Sequence, residues 1–96
     1  MRLRSQDNAL TFTLKPRNKK IQLSAAHVTS SPDETQHDLS KRIAEIAGLP
    51  LDRLRATFET SNRVLDKRIH LDSPPKVGDL PDEDNVLIIK DLGILS

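Results

Sequence analysis

Residues 9–15, Ala-Leu-Thr-Phe-Thr-Leu-Lys, alternate strictly, placing Leu10, Phe12 and Leu14 on one face and Thr11 and Thr13 on the other. That is the pattern of a strand with one buried side. Pro16-Arg17-Asn18-Lys19-Lys20 interrupts it, and Ile21-Gln22-Leu23-Ser24-Ala25 resumes the alternation. The two runs predict a hairpin with a polar turn, with His27–Ser30 a short connection at the frayed end of the second strand. Ser31-Pro32-Asp33-Glu34 then offers an N-cap hydroxyl, a proline for the first helical position and a glutamate able to reach back. Leu39, Ile43, Ile46 and Ala47 recur at helical spacing while Lys41, Arg42 and Glu45 face water, and Gly48-Leu49-Pro50 supplies the stop.

Period two returns at Leu54, Ala56 and Phe58, set against Arg55, Thr57 and Glu59. Thr60-Ser61-Asn62 forms a turn and Val64-Leu65 a brief fourth strand. Pro74-Pro75, Gly78 and Pro81 exclude one long element over residues 66–85, where Val77 and Leu80 tuck under as a short turn. Val86-Leu87-Ile88-Ile89 is a nearly continuous apolar run, as a central strand requires. The order β-β-α-β-β-loop-β predicts a single α+β domain: a mixed sheet with one helix across it. Residues 1–8 are expected to be a flexible N-terminal segment, residues 9–93 the domain and residues 94–96 a C-terminal exit.

Composition narrows what such a domain can do. Of 96 residues 35% are hydrophobic, and Phe12 and Phe58 are the only aromatics, so Leu, Ile, Val and Ala must build the core and a deep cofactor pocket would be hard to line. The absence of cysteine excludes disulfides and thiol nucleophiles. No apolar run approaches the roughly 20 residues needed to span a bilayer. The net charge of +1 hides an asymmetry. Residues 1–20 carry Arg2, Arg4, Lys15, Arg17, Lys19 and Lys20 against Asp7, whereas residues 72–91 carry six acids against Lys76 and Lys90.

The residues of chemical interest do not assemble into a catalytic motif. His27, His37 and His70 lack metal-ligand spacing, and Asp82-Glu83-Asp84 lacks the alternating ligands and glycine of a calcium loop, so it reads as a solvated turn. Gly48, Gly78 and Gly93 form no phosphate cradle. Without interleaved aromatics, the basic segments do not suit nucleic acid. Catalytic, metal and cofactor-binding residues are therefore assigned to none of these positions.

Gly48-Leu49-Pro50-Leu51-Asp52, leading from a helix into a strand that ends at Phe58, resembles ubiquitin, whose helix exits through the same pattern. The resemblance covers about residues 10–90 and implies a ubiquitin-like β-grasp, with the last strand central and parallel to the first. Two departures bear on function. The chain ends Asp91-Leu92-Gly93-Ile94-Leu95-Ser96 rather than in a conjugating diglycine tail, and Thr57 stands where ubiquitin's binding patch has its central isoleucine.

Val77-Gly78-Asp79-Leu80-Pro81, with Val86-Leu87-Ile88-Ile89-Lys90-Asp91-Leu92-Gly93, is similar to the end of the N-terminal domain of very-long-chain trans-2-enoyl-CoA reductases. That resemblance implies a cytosolic domain on the endoplasmic-reticulum membrane, in a parent enzyme that reduces enoyl-CoA with NADPH during fatty-acid elongation. The family's catalytic residues lie in a membrane portion after the glycine, so no cofactor is expected in this domain itself. The implied partners are that membrane portion, elongation-complex proteins or an anionic membrane surface, and the isolated domain is expected to be a monomer. Arg17, Lys19, Lys20 and Arg53, with Arg55 close by, would share the end of the sheet from which the chain leaves, a membrane- or partner-facing basic patch. The alternative is a free-standing ubiquitin-like adaptor that is not conjugated.

Overall fold

The computed structural model describes residues 9–69 and 72–93. The predicted N-terminal segment 1–8, His70 and the exit 94–96 lie outside the described residues. Strand β1 covers Leu10–Pro16, β2 His27–Ser30, β3 Leu54–Phe58 and β4 Val86–Asp91, and helix α1 covers Gln36–Ala47. They form a four-stranded sheet in the order β2-β1-β4-β3, with β1 parallel to β4 and the other two pairings antiparallel. With α1 packed across one face, this is an α+β fold of the β-grasp type, as expected.

Alternation in the strands builds the core. Phe12 and Leu14 on β1, Leu54, Ala56 and Phe58 on β3, and Leu87 and Ile89 on β4 meet Leu39, Ile43, Ala44 and Ala47 of α1. Leu39, Ile43, Phe58, Leu87 and Ile89 are fully buried, and burying each such side chain contributes about 1.5–3 kcal/mol. Short 3-10 turns at Leu51–Arg53 and Val77–Asp79 close the edges, the second driving Val77 into the core as the sequence suggested.

The second strand is displaced from its predicted position. Residues 21–25 are not a strand; they belong to the β1–β2 loop, where Ile21 is buried, Leu23 packs on the core and the Ser24 N–H donates to the Ile46 carbonyl at 2.9 Å. Alternation there serves two anchors under the end of α1. The strand is His27–Ser30, paired from Thr13↔His27 to Leu10↔Ser30.

The helix also begins later than its cap signature implied. Ser31–Glu34 closes a turn, with the Glu34 N–H on the Ser31 carbonyl at 3.0 Å, and Thr35 is the N-cap, accepting from the Asp38 N–H at 3.1 Å. Residues 34 and 35 are held out of the helix by the loop beside them. The Val77 N–H donates to the Glu34 carbonyl, the Gln36 N–H to the Pro75 carbonyl, and Thr35 bridges Lys76. At the other end Gly48 adopts φ +69°, and the Leu49 N–H closes on the Ala44 carbonyl at 2.9 Å. That left-handed conformation is the stop glycine provides without steric penalty. The expected fourth strand reduces to one bridge, Thr57↔Val64.

Candidate functional site

The face of the sheet turned away from α1 holds the outward half of each alternation: Thr13 and Lys15 on β1, Ile88 and Lys90 on β4, and Arg55 and Thr57 on β3. Register arranges them in rows. Ile88 lies between Lys15 and Thr57, and Lys90 lies opposite Arg55. The Arg17 N–H donates to the Ile89 carbonyl at 2.8 Å, carrying the parallel ladder one residue past β1 and bringing Arg17 beside Lys90. The three cations therefore cross the sheet in the order Arg17, Lys90, Arg55.

They border a groove of about 450 Å³ whose lining also includes Thr57, Ile88 and Glu59. Thr57 and Ile88 are half-buried in its floor. Like charges directly opposite on neighbouring strands destabilise a sheet, and among the described residues no carboxylate forms an ion pair with Arg17, Arg55 or Lys90. Glu59 stands at the other end of the groove, 3.5 Å from the Lys15 ammonium in an exposed pair that contributes little.

Arg53, at the end of the first 3-10 turn, takes the opposite route. Its Nε and a terminal nitrogen donate to the two carboxylate oxygens of Asp91 at 3.1 and 2.8 Å. Asp91 lies on the inward side of β4 and is only 5% exposed. The same carboxylate accepts the Gly93 N–H at 2.8 Å, and the Leu92 N–H donates to the Arg53 carbonyl at 2.7 Å. A Cβ at Gly93 would lie 2.4 Å from the Arg53 Nε, so glycine leaves the space the guanidinium occupies. Hydrogen bonding from Arg53 lowers the Asp91 pKa from its ordinary 3.8, outweighing burial, and the Gly93 N–H adds to the effect. Arg53 is raised in return, by its hydrogen bond to Asp91 and then by the carboxylate's charge.

Of the predicted basic patch, Arg17, Lys19 and Lys20 do stand at the end of the sheet where β4 finishes. Arg17 turns to the groove. Lys19 and Lys20 are exposed in the turn after β1, which the Lys20 N–H closes by donating to the Asn18 side chain at 2.9 Å. Arg53 is held by Asp91. The sequence pattern does not place Lys90 in that patch and sets Arg55 only beside it, although both occupy outward positions of alternating strands; what brings them opposite each other is register, which alternation does not reveal.

The acidic turn differs from its reading as fully solvated. Asp84 is 2% exposed, accepts from the Ser61 hydroxyl at 2.9 Å, and leaves its Oδ1 without a hydrogen-bond partner among the described residues. It ties the approach to β4 to the turn after β3. His37 binds the Lys67 carbonyl through Nδ1 at 2.8 Å, and His27 is exposed on β2. Among the described residues no group of three or more histidine, aspartate or glutamate side chains is arranged to hold a metal ion, and no helix is long and apolar enough to cross a membrane.

No protein-family model matches the chain, and comparison with curated proteins gives no match. The fold and this site define a β-grasp domain whose outward sheet face carries a basic row with no ion pair among the described residues.

Proposed function

We propose that the chain is a non-catalytic, ubiquitin-like docking domain on the cytosolic face of the endoplasmic-reticulum membrane, belonging to a trans-2-enoyl-CoA reductase of very-long-chain fatty-acid elongation. In this reading the NADPH-dependent reduction is carried out by a membrane portion beyond Gly93. The present domain orients that portion, or the elongation proteins beside it.

The observation that carries the reading is the way the chain leaves the sheet. β4 ends at Asp91, where Arg53 and Gly93 fix the turn, beside the end of β1 that leads into Arg17, Lys19 and Lys20. A membrane reached from that exit would meet these cations, each worth about 1 kcal/mol near an anionic leaflet. Titration of the ¹⁵N-labelled domain with phosphatidylserine vesicles tests this. Shifts at the Lys19 and Lys20 amides, absent with phosphatidylcholine, are expected; no response to the anionic vesicles overturns the membrane apposition.

The second reading, a free-standing adaptor, is favoured by the groove itself, which faces sideways from the sheet rather than along the exit. It predicts binding to a protein partner without any vesicle response.

A further inference from the structure

We infer that the groove across β1, β4 and β3 is a docking site for an acidic, extended segment of a partner protein. Carboxylates at alternate positions of that segment engage the Arg17–Lys90–Arg55 row, beside the half-buried floor of Thr57 and Ile88. The inference holds for either parent, since it concerns the open face and not the exit of the chain.

Charge is the first argument. The groove holds three cations in adjacent register with no ion-pair partner among the described residues, and β4 places Lys90 directly opposite Arg55. That arrangement costs the free domain stability and is relieved by an anion. Arginine forks hold carboxylates in fixed geometry, and lysine adds a mobile point charge.

Shape supplies the second argument. Neighbouring strands lie about 4.8 Å apart, so the row spans about 10 Å, while alternate side chains of an extended peptide recur about every 7 Å on one face. Two acidic residues flanking one other thus match the row once the flexible lysine and arginine stems adjust. The floor of Thr57 and Ile88 is recessed and half-buried. A peptide side chain can fill such a recess, whereas a flat lipid surface meets only the rim. Glu59, at the other end of the groove, repels carboxylates there and favours their placement on the row.

The test titrates the labelled full chain with the peptide acetyl-Glu-Asp-Leu-Asp-Glu-amide and with its neutral counterpart, in which Gln and Asn replace Glu and Asp. Shifts at the Thr57, Ile88 and Lys90 amides with the acidic peptide alone are expected. Arg55→Glu and the milder Arg55→Gln should each weaken binding at least tenfold, while Lys19→Glu with Lys20→Glu leaves it within twofold. Equal shifts from the neutral peptide overturn the inference, as does unchanged binding by both Arg55 variants. Absence of peptide binding, or groove shifts with phosphatidylserine vesicles and none with the peptide, overturns it too.

Discussion

Arg53, the last residue of the first 3-10 turn, and Arg55, the second residue of β3, stand two positions apart, yet they meet opposite environments. The inward side of β4 offers Arg53 a buried carboxylate, and the pair locks the end of the sheet. The outward side offers Arg55 another cation, Lys90, and no ion-pair partner among the described residues. The same contrast runs along β4 itself, where Leu87 and Ile89 are fully buried beneath α1 while Ile88 is only partly covered. One face of the sheet is packed against the helix, and the other leaves three cations without ion-pair partners among the described residues. Ile88 and Ile89, one strand position out of phase, meet different surroundings.

The sharpest way to separate the faces is truncation on either side of β4. Leu87→Ala should cost about 2–5 kcal/mol in chemical denaturation, because it opens a cavity in packed surroundings. Ile88→Ala should cost well under half as much, since its site is already open to solvent. If the two losses are equal, the distinction between faces fails.

Removing the arginines in turn probes the charges. Arg53→Ala strips a buried carboxylate of its main partner and should lower the melting temperature measurably, by less than Leu87→Ala; Arg55→Ala should leave it unchanged or raise it. Acidity reverses the first effect. Because the folded Asp91 has a pKa below its ordinary 3.8, the clamp's pKa-linked stabilisation is fully present above that value and disappears as pH falls through the folded pKa. Melting curves of the wild type and Arg53→Ala should therefore run apart at neutral pH and converge below about pH 4, near the unfolded carboxylate pKa.

The smallest expected change is also the most telling. Lys90→Glu converts a repulsive cross-strand pair into an attractive one and should stabilise the domain by roughly 0.2–1 kcal/mol. The same substitution should abolish acidic-peptide binding. A variant at once more stable and less able to bind would show that the free domain sacrifices stability at its binding face. Loss of stability in that variant would show that Lys90 serves the fold instead.

Much of the architecture was legible because buried strands and an amphipathic helix announce themselves through period. β1, β3, β4, the Gly48 stop and the tuck at Val77 all follow that rule. β2 did not, since His27–Ser30 is a four-residue edge strand with one apolar residue, Val28, while the more conspicuous Ile21 and Leu23 serve as loop anchors. The helix start was misplaced because a correct local cap signal at Ser31 was overridden by hydrogen bonds from residues 75–77, forty positions downstream. The site was half legible for the same reason. Sequence supplies the cations, but register between β3 and β4 decides which stand together, and register arises from contacts between distant segments.

The parallel pairing of β1 with β4 also dictates an order of events when the chain is made. The central strand is the last in sequence, so the sheet stays open at its middle until residues 86–91 have left the ribosome. Until then β1 has β2 on one side and bare hydrogen-bonding groups on the other, an edge prone to pairing with the wrong chain. Synthesis proceeds at about 5–20 residues per second, so the nascent domain waits several seconds between the appearance of its first strand and the arrival of the strand that completes it. A chaperone that shields exposed strand edges would find its substrate in that interval.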